Sequence, residues 1–304
     1  MLDLAQLARY GENLVWLTDR YCWDSAAPGV QESRYPSAST SRDRTHCVLD
    51  DHVFDGGAVP NFQAGASTNL LLATLCREDH GCLLTGLEQV RLHIGEVLLE
   101  PGVFIRSIYF PDDDLLISLL TLNGSNSHNS RKRVEVAQVG SEGMVGLPLA
   151  FGSRRSIHRA VVQTTGTAMT MEWPHFRAAV DAYPALQHAL GRYAHALIAQ
   201  ISQSVCCSQF HQVEGRLAQW LLLASARLHS NSLHFTHDGL ANLLGVRRVG
   251  ITQAAGNLQQ RGLIQYRHGD IQLLDRQGLQ ASACECHEKV KDILEELGGR
   301  GRMG

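Results

Sequence analysis

A single glycine, Gly245, separates two short amphipathic runs, and that spacing leaves few folds open to this part of the chain. Thr236 can cap the first run, because its hydroxyl accepts a hydrogen bond from a free backbone N–H. Leu240, Leu243 and Leu244 supply that run's buried side. Gly245 then ends it where a left-handed backbone costs least. Val246 is expected to plug the gap, and a second helix to begin at Arg247. Ile251, Ala254, Ala255 and Leu258 fall at i, i+3, i+4 and i+7, one buried stripe whose alanines allow close helix approach. The opposite face carries Arg247, Arg248, Thr252, Gln253 and Gln259, with hydrogen-bonding groups and no carboxylate. Two arginines in a first turn oppose the helix dipole, a local cost that suits a polyanion partner.

Leu263–Tyr266 and Ile271–Leu274 flank Arg267-His268-Gly269-Asp270, which predicts a β-hairpin directly after the second helix. The sum is a winged helix-turn-helix. Charge agrees with this placement. Residues 1–66 hold 5 Lys+Arg against 9 Asp+Glu, residues 67–210 hold 11 against 12, and residues 211–304 hold 11 against 9. The only positive segment contains the two amphipathic runs.

Upstream, residues 1–66 read as an extension. Leu2–Trp16 can form an amphipathic helix, and the Ser-, Pro- and charge-rich run after it predicts disorder. The run from Asn69 to Leu92 has helical periodicity. Short strand-like segments follow ("GEVLLEPG", "SIYFP", "LLISLLTL", "RVEVAQVG", "RAVVQTTG", "TAMTMEW"), punctuated by turn residues. They predict an all-β sandwich or barrel. The triple acid Asp112–Asp114 is expected in a solvated turn.

After Trp173 the pattern becomes helical. Leu186, Leu190, Tyr193, Leu197, Ile201 and Val205 form a narrow apolar seam on a long helix beginning at Pro184. Such a seam packs either on its own domain or against a copy of itself. Eight cysteines include no Cys-x-x-Cys pair, which favours free thiols in a reducing cytoplasm. Cys206-Cys207 and Cys284-x-Cys286 invite a redox reading, with ordinary packing preferred. His234 and His237 flank the cap without a third ligand, so no metal site is predicted, nor any cofactor. No apolar run approaches the length needed to span a bilayer.

This order of elements resembles the cyclic-AMP receptor protein and fumarate-nitrate regulator (Crp/Fnr) superfamily of bacterial transcription factors. The resemblance covers about residues 69–285. It is strongest in "VEGRLAQWLL" and in "FTHDGLANLLGVRRVGITQAAGNLQQRGLI", with support from "GEVLLEPG" and "IYFP". It implies an α+β chain: an N-terminal jelly-roll of the cyclic-nucleotide-binding type at 67–182, a dimerisation helix at 183–210 and a winged helix-turn-helix domain at 211–304. It further implies a homodimer on a palindromic site in double-stranded DNA, contact with RNA polymerase and a cytoplasmic location. Arg248 falls where the family places a base-reading arginine, the family's glutamate falls at Val249, and its later reader at Gln253. Arg247 and Thr252 are expected to make phosphate or mixed contacts.

The family's nucleotide pocket rests on a Gly-Glu pair and an Arg-Ser pair. Here Gly143 is followed by Met144, which cannot hold ribose hydroxyls, and Arg155-Ser156 matches only with a one-residue loop change. Gly143, Arg155 and Ser156 are therefore the candidate effector residues, and binding of cyclic AMP in the usual mode is not expected. Cys22 and Cys47 are too far apart to resemble the family's iron–sulfur cysteines. No nucleophile–base set points to catalysis. Two rival readings are an adaptor without DNA binding and a small-molecule sensor on a cupin-like β barrel.

Overall fold

A computed structural model describes residues 67–76, 86–123 and 132–298. The expected N-terminal extension, Cys22, Cys47, Cys82 and Leu83–Leu84 lie outside these residues.

Helix α1 (Leu70–Cys76) is followed by strands β1 (Glu88–Leu92), β2 (Val97–Leu99), β3 (Ser107–Pro111), β4 (Ile117–Asn123), β5 (Lys132–Val139), β6 (Arg159–Val162) and β7 (Gly166–Glu172). They form a three-stranded sheet in the order β1-β7-β3 and a four-stranded sheet in the order β2-β6-β4-β5. All the strand pairs are antiparallel. Ile108, Phe110 and Met169 of the first sheet share one core with Ile117, Val139 and Val162 of the second. This is the expected jelly-roll.

Two expectations are corrected here. The helical periodicity read from Asn69 to Leu92 does not persist: Glu88–Leu92 is a strand paired with β7 over Gly166–Thr170. Tertiary pairing has overridden the local pattern. Asp112 is not in a solvated turn but is 6% exposed. Its carboxylate accepts from the Ser67 hydroxyl at 2.8 Å, the Thr68 N–H at 3.1 Å and the Thr167 hydroxyl at 2.9 Å, which repays its burial.

Helix α2 (Trp173–Ala182) leads into α3 (Pro184–Phe210), 27 residues long, about 40 Å at 1.5 Å per residue. The apolar seam divides along it. Leu186, Leu190 and Tyr193 are buried in the jelly-roll's own core, and Leu197 and Ile201 pack at its margin. Val205 is 58% exposed and Ile198 64%. Five of the six expected seam residues thus serve the chain's own domain, and Val205 alone of them stands open, because α3 folds back across the sheet and the short α1 helix.

The remaining elements are α4 (Val213–Arg227), β8 (Ser232–His234), α5 (His237–Leu244), α6 (Arg248–Gln260), β9 (Ile264–Arg267), β10 (Asp270–Leu273), α7 (Arg276–Ser282) and α8 (Cys286–Gly298). The predicted hairpin is present, closed by His268 and Gly269 with φ of 53° and 96°. Positive φ at both positions matches the twist of the strands. Strand β8 joins β10 on its other side. Helix α8, which the sequence reading does not anticipate, packs Val290 and Leu294 on Leu223 of α4 and lies along α3.

Strand β4 is buried on both faces over Ile117–Leu120. Ile117 and Leu119 enter the jelly-roll core, while Leu116 and Leu120 join Trp220, Leu240 and Leu244 in the core of the helical head. That double burial explains the run "LLISLL", apolar except for the buried Ser118.

Candidate nucleic-acid interface

The helix-turn-helix is built as the sequence requires. The Thr236 hydroxyl accepts from the Gly239 N–H at 3.1 Å. Gly245 adopts φ 66° and ends α5. A side chain there would also stand 3.0 Å from Val134 of β5, so the turn is glycine for two reasons. Ile251, Ala254, Ala255 and Leu258 are all buried. Arg247 is the N-cap of α6, one residue earlier than the first helical residue.

Arg247, Arg248, Val249, Thr252 and Gln253 lie together on the exposed side of α6. Val249 is 60% exposed, an apolar group presented to solvent within a polar face. Arg248 is tethered to Asp238 of α5, with Nε 3.5 Å from the carboxylate and both side chains about two-thirds open. Such a pair is weak and easily exchanged for another anion. The Thr252 hydroxyl lies 3.1 Å from Nδ1 of His237 and 3.2 Å from the Arg248 carbonyl oxygen. Burial, followed by the positive charge of Arg248, holds the His237 imidazole below its ordinary pKa against the opposing pull of Asp238. Its ring stacks on Tyr266 with centroids 4.2 Å apart. Gln259 is also exposed, and its side-chain oxygen accepts from the Tyr266 N–H at 2.7 Å, tying α6 to the wing. Sequence reasoning missed the His237–Tyr266 stack and the Asp238 tether, since both depend on how the wing folds back.

The three candidate effector residues each make local contacts. The Gly143 backbone abuts Tyr193, where a Cβ would meet the ring at 2.4 Å. The Tyr193 hydroxyl donates to the Met144 carbonyl at 3.0 Å, and Met144 is 1% exposed. Arg155 lies over the Phe104 ring, 4.1 Å from its centroid, and donates to the Gly102 carbonyl. The Ser156 hydroxyl is spent on the His158 carbonyl at 2.6 Å. Gly143, Arg155 and Ser156 are thus each engaged in local packing.

Between the jelly-roll and the head lies a polar joint that the sequence reading also missed. The Trp220 Nε1–H donates to Glu135 at 2.7 Å, and the Ser118 hydroxyl and the Gln138 amide also donate to that carboxylate. Burial pushes the Glu135 carboxyl up to about 7, although these hydrogen bonds and Arg227 pull it down. Beside it, Arg227 binds Glu142 at 2.8 Å and Gln138 at 3.2 Å, with 4% of the arginine side chain exposed.

Residues 215–282 match the family model for the Crp-like helix-turn-helix domain. No curated protein matches the chain. Among solved structures, a Crp/Fnr-family regulator from Eubacterium rectale is 14% identical with a TM-score of 0.54, covering 68% of this chain and 92% of that one. FixK2 from Bradyrhizobium japonicum is 13% identical with a TM-score of 0.55, covering 65% and 98%. A Crp/Fnr-family transcriptional regulator from Thermus thermophilus is 24% identical with a TM-score of 0.51, covering 66% and 98%. At these identities the structural likeness carries the fold, while the family model carries the head. Residues 215–282 thus carry a Crp-like helix-turn-helix domain, and the chain around it has the fold of the Crp/Fnr-family structures it resembles.

Proposed function

We propose that this regulator binds palindromic DNA as a homodimer, with α6 in the major groove of each half-site. The observation that carries the reading is the α6 surface itself: two arginines, Thr252 and Gln253, all exposed, with Arg248 held only by an exchangeable carboxylate. Arg248 is assigned to a guanine edge, where its guanidinium can bond O6 and N7 together. Arg247 and Thr252 are assigned to phosphate or mixed contacts, and Gln253 to a second base. Val249 offers an apolar contact of the kind a thymine methyl accepts. Arg267 at the exposed wing extends the positive surface.

A second copy is assigned to the open stripe of α3 around Ile198 and Val205. The regulatory signal is assigned to the jelly-roll and its joint with the head. Cyclic AMP in the usual mode is not that signal, since Met144 faces the core and Gly143 packs on Tyr193. Contact with RNA polymerase is part of the same proposal, as is a cytoplasmic location. Among the described residues no helix is long and apolar enough to cross a membrane. A cupin-like reading would need a metal-ligand set on facing strands, and the one such cluster found among the described residues lies outside the jelly-roll.

The test is selection of DNA from a random pool by the purified chain, with its mass measured by sedimentation. Enrichment of a palindrome by a dimer is expected. A monomer that enriches no sequence contradicts the proposal.

A further inference from the structure

Cys207 and His211 stand one helical turn apart at the end of α3, and Cys284 and Cys286 lie at the junction of α7 and α8. The fold brings all four together. Their Sγ and ring-nitrogen atoms lie within 4.8 Å of one another. The Cys207 and Cys284 sulfurs are 3.5 Å apart, and the Cys286 sulfur is 3.3 Å from Nδ1 of His211. A tetrahedral zinc ion with ordinary Zn–S and Zn–N bonds requires edges of about 3.5–3.8 Å. In the sequence, Cys206-Cys207 and Cys284-x-Cys286 read as separate pairs of packed thiols. His211 carries no signal there, because the second half of the set arrives from 73 residues further along the chain.

We propose that these residues form a (Cys)3(His) site for a zinc ion. Three observations separate it from chance packing. Cys286 is 0% exposed and Cys207 6%, so the ligands are enclosed rather than scattered on a surface. His211 turns its other nitrogen, Nε2, to the Glu285 carboxylate at 3.2 Å, the outer partner that fixes the tautomer of a metal-bound imidazole. The sulfurs have amide neighbours: the Gln203 Nε2–H donates to Cys286 at 2.8 Å, and the Gln219 side-chain oxygen accepts from the Cys207 thiol at 3.2 Å and the Cys284 thiol at 3.0 Å. Turning the Gln219 amide over presents N–H to both thiolates. Gly215 clears the approach, since a Cβ there would stand 3.3 Å from the Cys284 backbone nitrogen.

Binding releases the three thiol protons to solvent and changes no oxidation state. Four protein ligands leave no open position, so the ion is structural. The cluster is too compact to enclose several irons. A disulfide between Cys207 and Cys284 would leave Cys286 and His211 unexplained. The ion would clamp the end of α3 to the far end of the head, with the start of α4 between them. It would thereby fix the angle at which the head leaves the long helix. This proposal does not depend on the assignment of DNA contacts.

The test is metal analysis of the full chain purified anaerobically under reducing conditions, followed by cobalt(II) titration of the zinc-free protein. The expected result is one zinc per chain, replaced by cobalt with a thiolate-to-metal charge-transfer band and visible bands of tetrahedral strength. Cys206→Ser, outside the set, retains this behaviour. Glu285→Gln, which leaves all four ligands in place, weakens the metal by roughly 10- to 100-fold. Cys284→Ser weakens it further. If Cys284→Ser does not fold, the wild-type cobalt spectrum and Glu285→Gln decide. A chain without zinc and without the thiolate–cobalt band overturns the proposal, as does a Cys207–Cys284 disulfide under these conditions or the spectrum of an iron–sulfur cluster.

Discussion

The indole N–H of Trp220 reaches across from the helical head to the carboxylate of Glu135 on the jelly-roll, 2.7 Å away. Two compact layers therefore meet through a buried carboxyl group as well as through the apolar contact of Leu116 and Leu120. The joint connects the layer assigned to signal reception with the layer assigned to DNA.

Because burial raises the Glu135 pKa to about 7, its folded form keeps a proton that the unfolded chain loses near the ordinary carboxylate range. The joint is favoured at low pH, and this contribution falls away as pH rises through 7. The expected loss is about 1–3 kcal/mol across the window. Glu135→Gln should flatten the pH dependence of stability between pH 5 and 8, measured by denaturant unfolding. An unchanged slope would contradict this account of the joint.

Gly143 is held against Tyr193 so closely that no Cβ fits. Gly143→Ala should destabilise the jelly-roll by about 1–3 kcal/mol through overpacking. Tyr193→Leu in the same chain should recover part of the loss by making room. Thermal unfolding of the single and double variants checks this. A neutral Gly143→Ala would mean that the contact is loose.

Asp238 tethers Arg248 at 3.5 Å and sits in the first turn of α5. Asp238→Asn should tighten DNA binding by about 2- to 5-fold, because an exposed ion pair worth under about 1 kcal/mol no longer competes with the DNA. The same change should cost a few tenths of a kcal/mol in stability, since it removes an acid from a helix N-terminus. Binding isotherms and unfolding curves measure both. Weaker DNA binding would assign Asp238 a direct contact instead.

The head was the most legible part of the chain. Thr236, Gly245 and the Ile251–Leu258 stripe are local signals, and local hydrogen bonds and burial satisfy them where they stand. The jelly-roll strands were legible as segments, except β1, whose pairing with β7 is set by a partner far along the chain. The "LLISLL" run held a further signal: a strand without polar alternation is covered on both faces, and its second cover is the head. The seam of α3 was legible as apolar, but periodicity alone does not say whose side chains fill it. Glu135, Asp238 and the cysteine–histidine cluster were not legible, because each acquires its role from a neighbour brought in by the fold.

The most direct test of the central claim is DNA affinity of wild type, Arg247→Ala and Arg248→Ala on a selected palindrome and on unrelated DNA, at two salt concentrations. Arg248→Ala should lose about 1–3 kcal/mol per half-site and relax the preference at one base pair. Arg247→Ala should weaken both DNAs alike and lower the salt slope by about one charge per subunit. If both variants bind DNA as the wild type does, α6 is not the reading surface and the account fails.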